Sequence, residues 1–214
     1  MAGGAAAILL KQSVASLETL LRGAVEKRSL NLLILALPPI GLLLTTFLIR
    51  RFVKADLSHG VTKVLAAIAR GGGRIPSKMI WAPLAGCTIT VGFGGSLGME
   101  APIMHAGSAI GSAVGRRLGL DYRRRVLLVG CGTAAAVSAI FKAPVAGALF
   151  AIEILMIDFT AQVAVPLLVS SVTGALLSKI ISGNEIEFEF AVFQSFDYRN
   201  TPFYLLLGAL CALV

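Results

Sequence analysis

Long apolar runs separated by short polar connections recur along the chain. Residues 29–49 carry no charge, and residues 80–115 are interrupted only by Glu100 and His105. Residues 126–156 contain Lys142 and Glu153 as their charged positions, and 160–178 is again uncharged. A helix needs about 20 apolar residues to cross a bilayer, and these runs are close to that length or longer. Within them the pattern predicts specific elements. Residues 5–25 read as a helix with apolar positions at helical spacing and Lys11, Glu18 and Arg22 on the other face. Residues 29–50 read as the clearest span, with a kink at Pro38-Pro39, and 58–69 as a short helix capped by Ser58 and stopped at Gly71-Gly72-Gly73. A further helix covers 79–93. From Pro102 onward Gly107, Gly111 and Gly115 recur every fourth residue, which lines one helix face with small residues and admits a second backbone. Phe141-Lys142-Ala143-Pro144 interrupts the next helix, which restarts over 145–156. The expectation is an all-α polytopic membrane protein in which many helices are short, broken or re-entrant. Non-helical backbone at membrane depth survives only where protein buries it or it lines a polar cavity. Broken helices with converging N-termini mark ion and solute sites.

Composition agrees with that reading: 57% hydrophobic, 14% charged and 23 glycines, with a mean hydropathy of +0.86. A soluble domain carries more charge. The net charge of +8 does not point to nucleic acid, because the basic residues sit in short connections beside apolar runs. Arg50, Arg51, Lys54, Lys63, Arg70, Arg74 and Lys78 fall in one region opposed only by Asp56. The positive-inside rule makes that region cytoplasmic, and the acidic stretch with Glu185, Glu187, Glu189 and Asp197 external by elimination. A second basic group, Arg116, Arg117, Arg123, Arg124 and Arg125, cannot be assigned a side from sequence. Cys87, Cys131 and Cys211 have no metal-ligand spacing and give no disulfide framework; His59 and His105 are too few for a metal cluster. No cofactor, catalytic triad or phosphate loop is expected. The weak pairing of Ser96 with Glu100 is the one candidate for chemistry on a substrate, so an enzyme is not expected. No basic leader precedes the first apolar residues. The closing apolar run, 203–214, is about half a span, as expected of part of something larger.

The most informative residues are Gly94-Gly95-Ser96-Leu97-Gly98-Met99-Glu100, followed by Ala101-Pro102. They place one carboxylate at a helix start inside an apolar run. A charge at bilayer depth costs roughly 2.5–3.5 kcal/mol on insertion scales, so such a residue reads as functional by default. The glycines let the backbone bend, and Pro102 suits a first helical turn. The free N–H groups there, with the positive end of the macrodipole, attract an anion. A buried carboxylate beside them competes for the same donors, which is the physics of a gate. Plainer readings stand beside this one. Glu100 as a structural N-cap, His59 as a loop residue and His105 as a packing histidine are three. Lys142 either snorkels or attracts anions, and Glu153 faces water or pairs with a base.

Gly98-Met99-Glu100-Ala101-Pro102 resembles the CLC chloride channel and transporter signature Gly-Arg/Lys-Glu-Gly-Pro. The stretch from Gly132-Thr133-Ala134-Ala135-Ala136 through Phe141-Lys142-Ala143-Pro144 to Ile152-Glu153 resembles the second signature of that family. The resemblance covers residues 1–214 as a partial CLC-type transmembrane domain, the N-terminal half of an inverted repeat whose C-terminal half is missing. It implies a channel of the voltage-gated type or a transporter, moving chloride or another small anion across a multi-pass membrane setting, a prokaryotic plasma or inner membrane. The lipid bilayer and, for the full-length protein, a second copy in a homodimer are the implied partners. Glu100 corresponds to the gating glutamate. Ser58, His59, Gly60, Val61, Gly98, Met99, Glu100 and Ala101 are the implied anion-binding positions. The family's anion-coordinating serine falls on His59, or on Ser58 with a one-residue slip. Met99 and Ala101 depart from the signature. The internal glutamate of proton-coupled members falls on Ile154, which favours passive conduction. Proton-coupled chloride or fluoride antiport and a non-conducting fragment or scaffold are the alternatives.

Overall fold

The computed structural model describes residues 1–26, 31–53, 60–156, 160–183 and 200–212. Helix α1, Ala2–Glu26, turns Ala7, Leu10 and Val14 inward at helical spacing. Helix α2, Asn31–Leu48, continues through Pro38 and Pro39 and passes into a π-helical turn, Ile49–Val53. Helix α3, Gly60–Ala69, ends as its sequence predicts: the N–H groups of Gly71 and Gly73 both donate to the Ala67 carbonyl, at 3.1 and 2.8 Å. Gly72 and Gly73 there have positive φ, 60° and 71°, which glycine adopts at no steric cost. The proposed Ser58 cap lies outside the described residues. A 3₁₀ turn, Ser77–Ile80, leads into α4, Ala82–Gly92. Then come α5, Glu100–Arg117, α6, Tyr122–Phe141, α7, Pro144–Leu155, α8, Ala161–Ser182, and α9, Thr201–Ala212. The break between α6 and α7 is the expected one: Lys142 takes a left-handed conformation and Pro144 opens the next helix. The described residues are all-α, with no strand among them.

Helix α6 is the hub. Its residues from Thr133 to Ile140 are all buried, and it packs on α1, α5, α7 and α8. Glycine makes the closest of these approaches possible. A β-carbon on Gly107 would overlap the carbonyl oxygen of Gly132, one on Gly132 that of Gly107, and one on Gly111 that of Leu128. Gly174 of α8 lies equally close to the Ala135 carbonyl. Without a strong hydrophobic drive between helices in lipid, such backbone-to-backbone packing is a main source of association. Hydroxyls add to it: Ser138 Oγ donates to the Ser171 carbonyl at 2.7 Å and Ser170 Oγ to the Cys131 carbonyl at 2.7 Å. Ser171 Oγ in turn donates to the Pro144 carbonyl.

Two helices among the described residues, α6 and α8, are long and apolar enough to cross a membrane. Among the described residues α8 is covered on one side only. Val165, Leu168, Val169, Val172, Leu176 and Ile180 are exposed along it, an apolar surface too extended for water.

The 116–125 loop, left unassigned by charge alone, shares one end of the bundle with residues 68–77. Arg125 Nη1 donates to the Gly72 carbonyl at 2.9 Å and its Nη2 to the Leu120 carbonyl at 2.7 Å. Ser112 Oγ donates to the Gly73 carbonyl at 2.7 Å and accepts from the Ile75 N–H at 2.9 Å. Arg116 reaches Ser77 at 3.1 Å, and the Tyr122 hydroxyl reaches the Ile68 carbonyl at 3.2 Å. The segments 68–77 and 116–125 are therefore on the same side. Arg125→Met strands two carbonyls and is expected to lower stability by about 1–3 kcal/mol. A thermal or denaturant unfolding transition in detergent reads this, with Arg125→Lys recovering only part.

Candidate functional site

The segment before α5 is shaped by how α4 ends. The N–H of Gly95 donates to the Thr90 carbonyl at 2.9 Å and that of Gly94 to the Val91 carbonyl at 2.8 Å. Gly94 has φ +85°. This pair of bonds around a left-handed residue is a Schellman stop, and it satisfies the terminal carbonyls of α4. The turn is seated on α2, where Gly41 has the Phe93 side chain against its α-carbon and Thr45 Oγ1 bonds Thr90 Oγ1 at 3.1 Å. The chain leaves this turn in a direction set by packing and reaches the start of α5.

Met99 is the N-cap, Glu100 the first helical residue and Pro102 the third. The first intrahelical bond runs from the Ile103 N–H to the Met99 carbonyl at 3.2 Å. Pro102 has no N–H, so the helix tip presents the donors of Glu100 and Ala101, which have no intrahelical acceptor. No side chain caps them. The structural N-cap reading of Glu100 therefore fails: its carboxylate folds back over its own loop, with Oε2 against Gly98. The tip is anchored from below, since Ile103 is buried and Met99 half-buried in a cluster with Ala7, Leu10 and Cys87.

The expectation of a buried acid is not met within these 214 residues. Glu100, Gly98 and Ala101 are all exposed, although α4 packs beside the tip through Cys87, in one cluster with Met99 and Ile103. Ser58 and His59 lie outside the described residues. Gly60 opens α3, and Val61 is half-buried in a cluster that also holds Val64, Met104, Val137, Phe141 and Ile154. The first turn of α3 and the second turn of α5 thus share a core with the ends of α6 and α7. Ile154 is an apolar member of that core.

Other candidates fall into structural places. His105 is 5% exposed within α5, in keeping with packing. Lys142 Nζ donates to the Gly183 carbonyl at 3.0 Å, just past the C-terminus of α8, where a cation complements the helix dipole. That contact accounts for Lys142 without an anion. Glu153 is exposed. Among the described residues no hydrogen bond joins Ser96 to Glu100, and no cluster of potential metal ligands occurs.

A family model described as voltage gated chloride channel matches residues 41–214. The chain belongs to this CLC family. A putative chloride channel protein, ClcB-like, of Ralstonia nicotianae is 32% identical over 155 residues, covering 70% of this chain and 36% of that protein. Two solved folds are also similar. A CLC-type fluoride/proton antiporter matches with a TM-score of 0.77 at 24% identity, and a slow cyanobacterial Cl−/H+ antiporter with 0.79 at 21%. Each comparison covers 97% of this chain and 51% of the solved one. The chain therefore spans about a third of that relative's length and half of each solved CLC chain. CLC membership also makes this a membrane-embedded chain, to which α6 and α8 contribute membrane-length helices.

The anchor Ile103 and the clamp by Arg125 were not singled out from sequence, and Met99 was named there as an anion-binding position that departs from the signature, not as an anchor of the tip. The Arg125 clamp joins residues 53 apart, and no local pattern announces it.

Proposed function

We propose that these residues form the N-terminal half of an inverted-repeat CLC domain that conducts chloride or another small anion, with Glu100 as its gate. The observation that carries the proposal is the uncapped tip of α5, which holds two amide donors, the positive end of an 18-residue helix and one carboxylate. Amide donors and the dipole replace part of an anion's hydration, and Glu100 competes for the same place. Gly98, Met99 and Ala101 shape that tip. Gly60 and Val61, with Ser58 or His59 before them, supply a second helix start of the same kind. The half-repeat reading is supported by the share of the solved folds that the chain covers. A homodimer is part of the same proposal, as is the assignment of the basic end, with both the 68–77 and 116–125 segments, to the cytoplasm.

Ile154 favours conduction without proton coupling, since an alkyl side chain in an apolar cluster can hold no proton. The full-length protein in chloride-loaded liposomes is expected to release chloride with no stoichiometric proton uptake. Proton movement locked to chloride, or fluoride moved in preference, would establish the antiport alternative, and no flux of any anion would leave a scaffold. In the same assay His59→Ser is expected to change the ratio of chloride to fluoride flux by about tenfold, equivalent to 1.4 kcal/mol of differential binding. An unchanged ratio removes His59 from the path.

A further inference from the structure

At the end of α5 opposite Glu100, about 25 Å along the helix at 1.5 Å per residue, a groove of about 470 Å³ opens between α5, the 3₁₀ turn 77–80 and the start of α1 at Ala2. Its chemistry is divided. Ile80, Ile110 and Val114 form an apolar wall, and Ser77, Arg116 and Arg117 form its mouth. Ile110 and Val114 are one helical turn apart and so lie on one face of α5. The Arg116 guanidinium is held by the Ser77 hydroxyl at 3.1 Å, which uses one of its five N–H donors. Arg117 makes no hydrogen bond or ion pair among the described residues, and none of the described residues lining the groove is acidic. The nearby acid, Asp121, is directed to Arg124 at 3.7 Å.

We propose that this groove binds an anionic phospholipid, with the headgroup phosphate on Arg116, Arg117 and Ser77 and an acyl chain along Ile80, Ile110 and Val114. Guanidinium forks suit phosphate oxygens, and basic pockets between membrane helices take anionic headgroups. The two-part lining selects a lipid over a soluble anion. A phosphate ion alone would leave most of the groove and all of its apolar wall unused, while a zwitterionic lipid would bring a cation to two arginines. Topology and the helix dipole account for basic residues at this end, but neither requires a groove with an apolar wall behind them. The site is separate from the anion pathway and does not rest on it.

Trp81, the single tryptophan of these 214 residues, follows Ile80 directly, is half exposed and lines a second groove with Leu84, Ala85 and Thr88, so it reports the site through the difference between variants. The full-length protein is reconstituted in vesicles of one fixed mixture of phosphatidylglycerol and phosphatidylcholine, with brominated acyl chains on one lipid or on the other. Quenching that disappears in Trp81→Phe is assigned to Trp81. Brominated phosphatidylglycerol is expected to quench Trp81 with an apparent preference of about fivefold for each arginine engaged. Arg116→Gln with Arg117→Gln brings the preference close to one. Arg117→Gln alone, which breaks no bond among the described residues, lowers it about fivefold. Arg123→Gln with Arg124→Gln leaves it in place. Equal quenching by the two lipids overturns the proposal. So does an equal loss in both double variants, which would mean diffuse surface charge, and so does displacement of the lipid by inorganic phosphate.

Discussion

Glutamine at position 100 is expected to raise anion flux through the reconstituted full-length protein and to flatten its dependence on pH. Glu100 is the first residue of α5, next to the free donors of the helix tip. Its carboxylate repels an anion seeking those donors, and a neutral amide of the same size does not. The size of the change reports the surroundings. At about 5 Å with an effective dielectric near 20, the repulsion is about 3 kcal/mol, on the order of a hundredfold in occupancy. In open water it falls to about 1 kcal/mol, a change of less than about tenfold. Glu100 is exposed within these 214 residues, so a hundredfold effect would show that other parts of the full-length protein cover it. Glu100→Ala should match Glu100→Gln in pH dependence, since neither titrates. Flux that stays pH-sensitive in both variants would remove Glu100 from the gate.

Alanine at Gly107 or Gly132 is expected to lower stability by about 1–3 kcal/mol each, through overpacking. The two glycines face one another across the α5–α6 contact, and a β-carbon on either meets the other's carbonyl oxygen. Alanine favours a helix over glycine by about 1 kcal/mol, so any net loss is a measure of the clash. Because one adjustment of α5 relieves both, the double variant should cost less than the sum, with a coupling of about 0.5–3 kcal/mol. Gly23 of α1, whose added β-carbon would meet nothing within 4 Å, is the control: Gly23→Ala should stabilise by up to about 1 kcal/mol. Unfolding in detergent reads all four variants. Additive losses at positions 107 and 132 would mean that the helices do not share one close contact. Gly132→Ala also bears on flux, since any outward shift of α5 moves its N-terminal tip.

Much of the fold was legible because local signals agreed. The four-residue glycine spacing predicted a helix face for close approach, and Gly107 and Gly111 make that approach. Gly71-Gly72-Gly73 predicted a stop at the end of α3, and the Ala67 carbonyl collects two bonds there. Lys142-Ala143-Pro144 predicted a break, which lies between α6 and α7. The proline pair in α2 does not end the helix. The helix continues through Pro38 and Pro39, and the π-helical turn comes later, at Ile49–Val53. The candidate site was legible as a helix start carrying an acid, but not in its exposure. Burial of Glu100 depends on which elements lie beside the tip, and a charge in an apolar run cannot report that.

What the sequence by itself determined is the all-α membrane character, the breaks, and the glycines that admit close packing. Each follows from hydropathy, backbone freedom or a missing N–H, which are properties of a residue and its near neighbours. The tertiary structure alone decided which side the 116–125 loop shares, through Arg125, Arg116 and Tyr122 reaching back to residues 68–77. It also decided that Lys142 serves the end of α8 and that Arg116 and Arg117 border a groove. These relations join residues tens of positions apart. Such pairings are chosen by which helices pack together, and charge alone is satisfied by many arrangements.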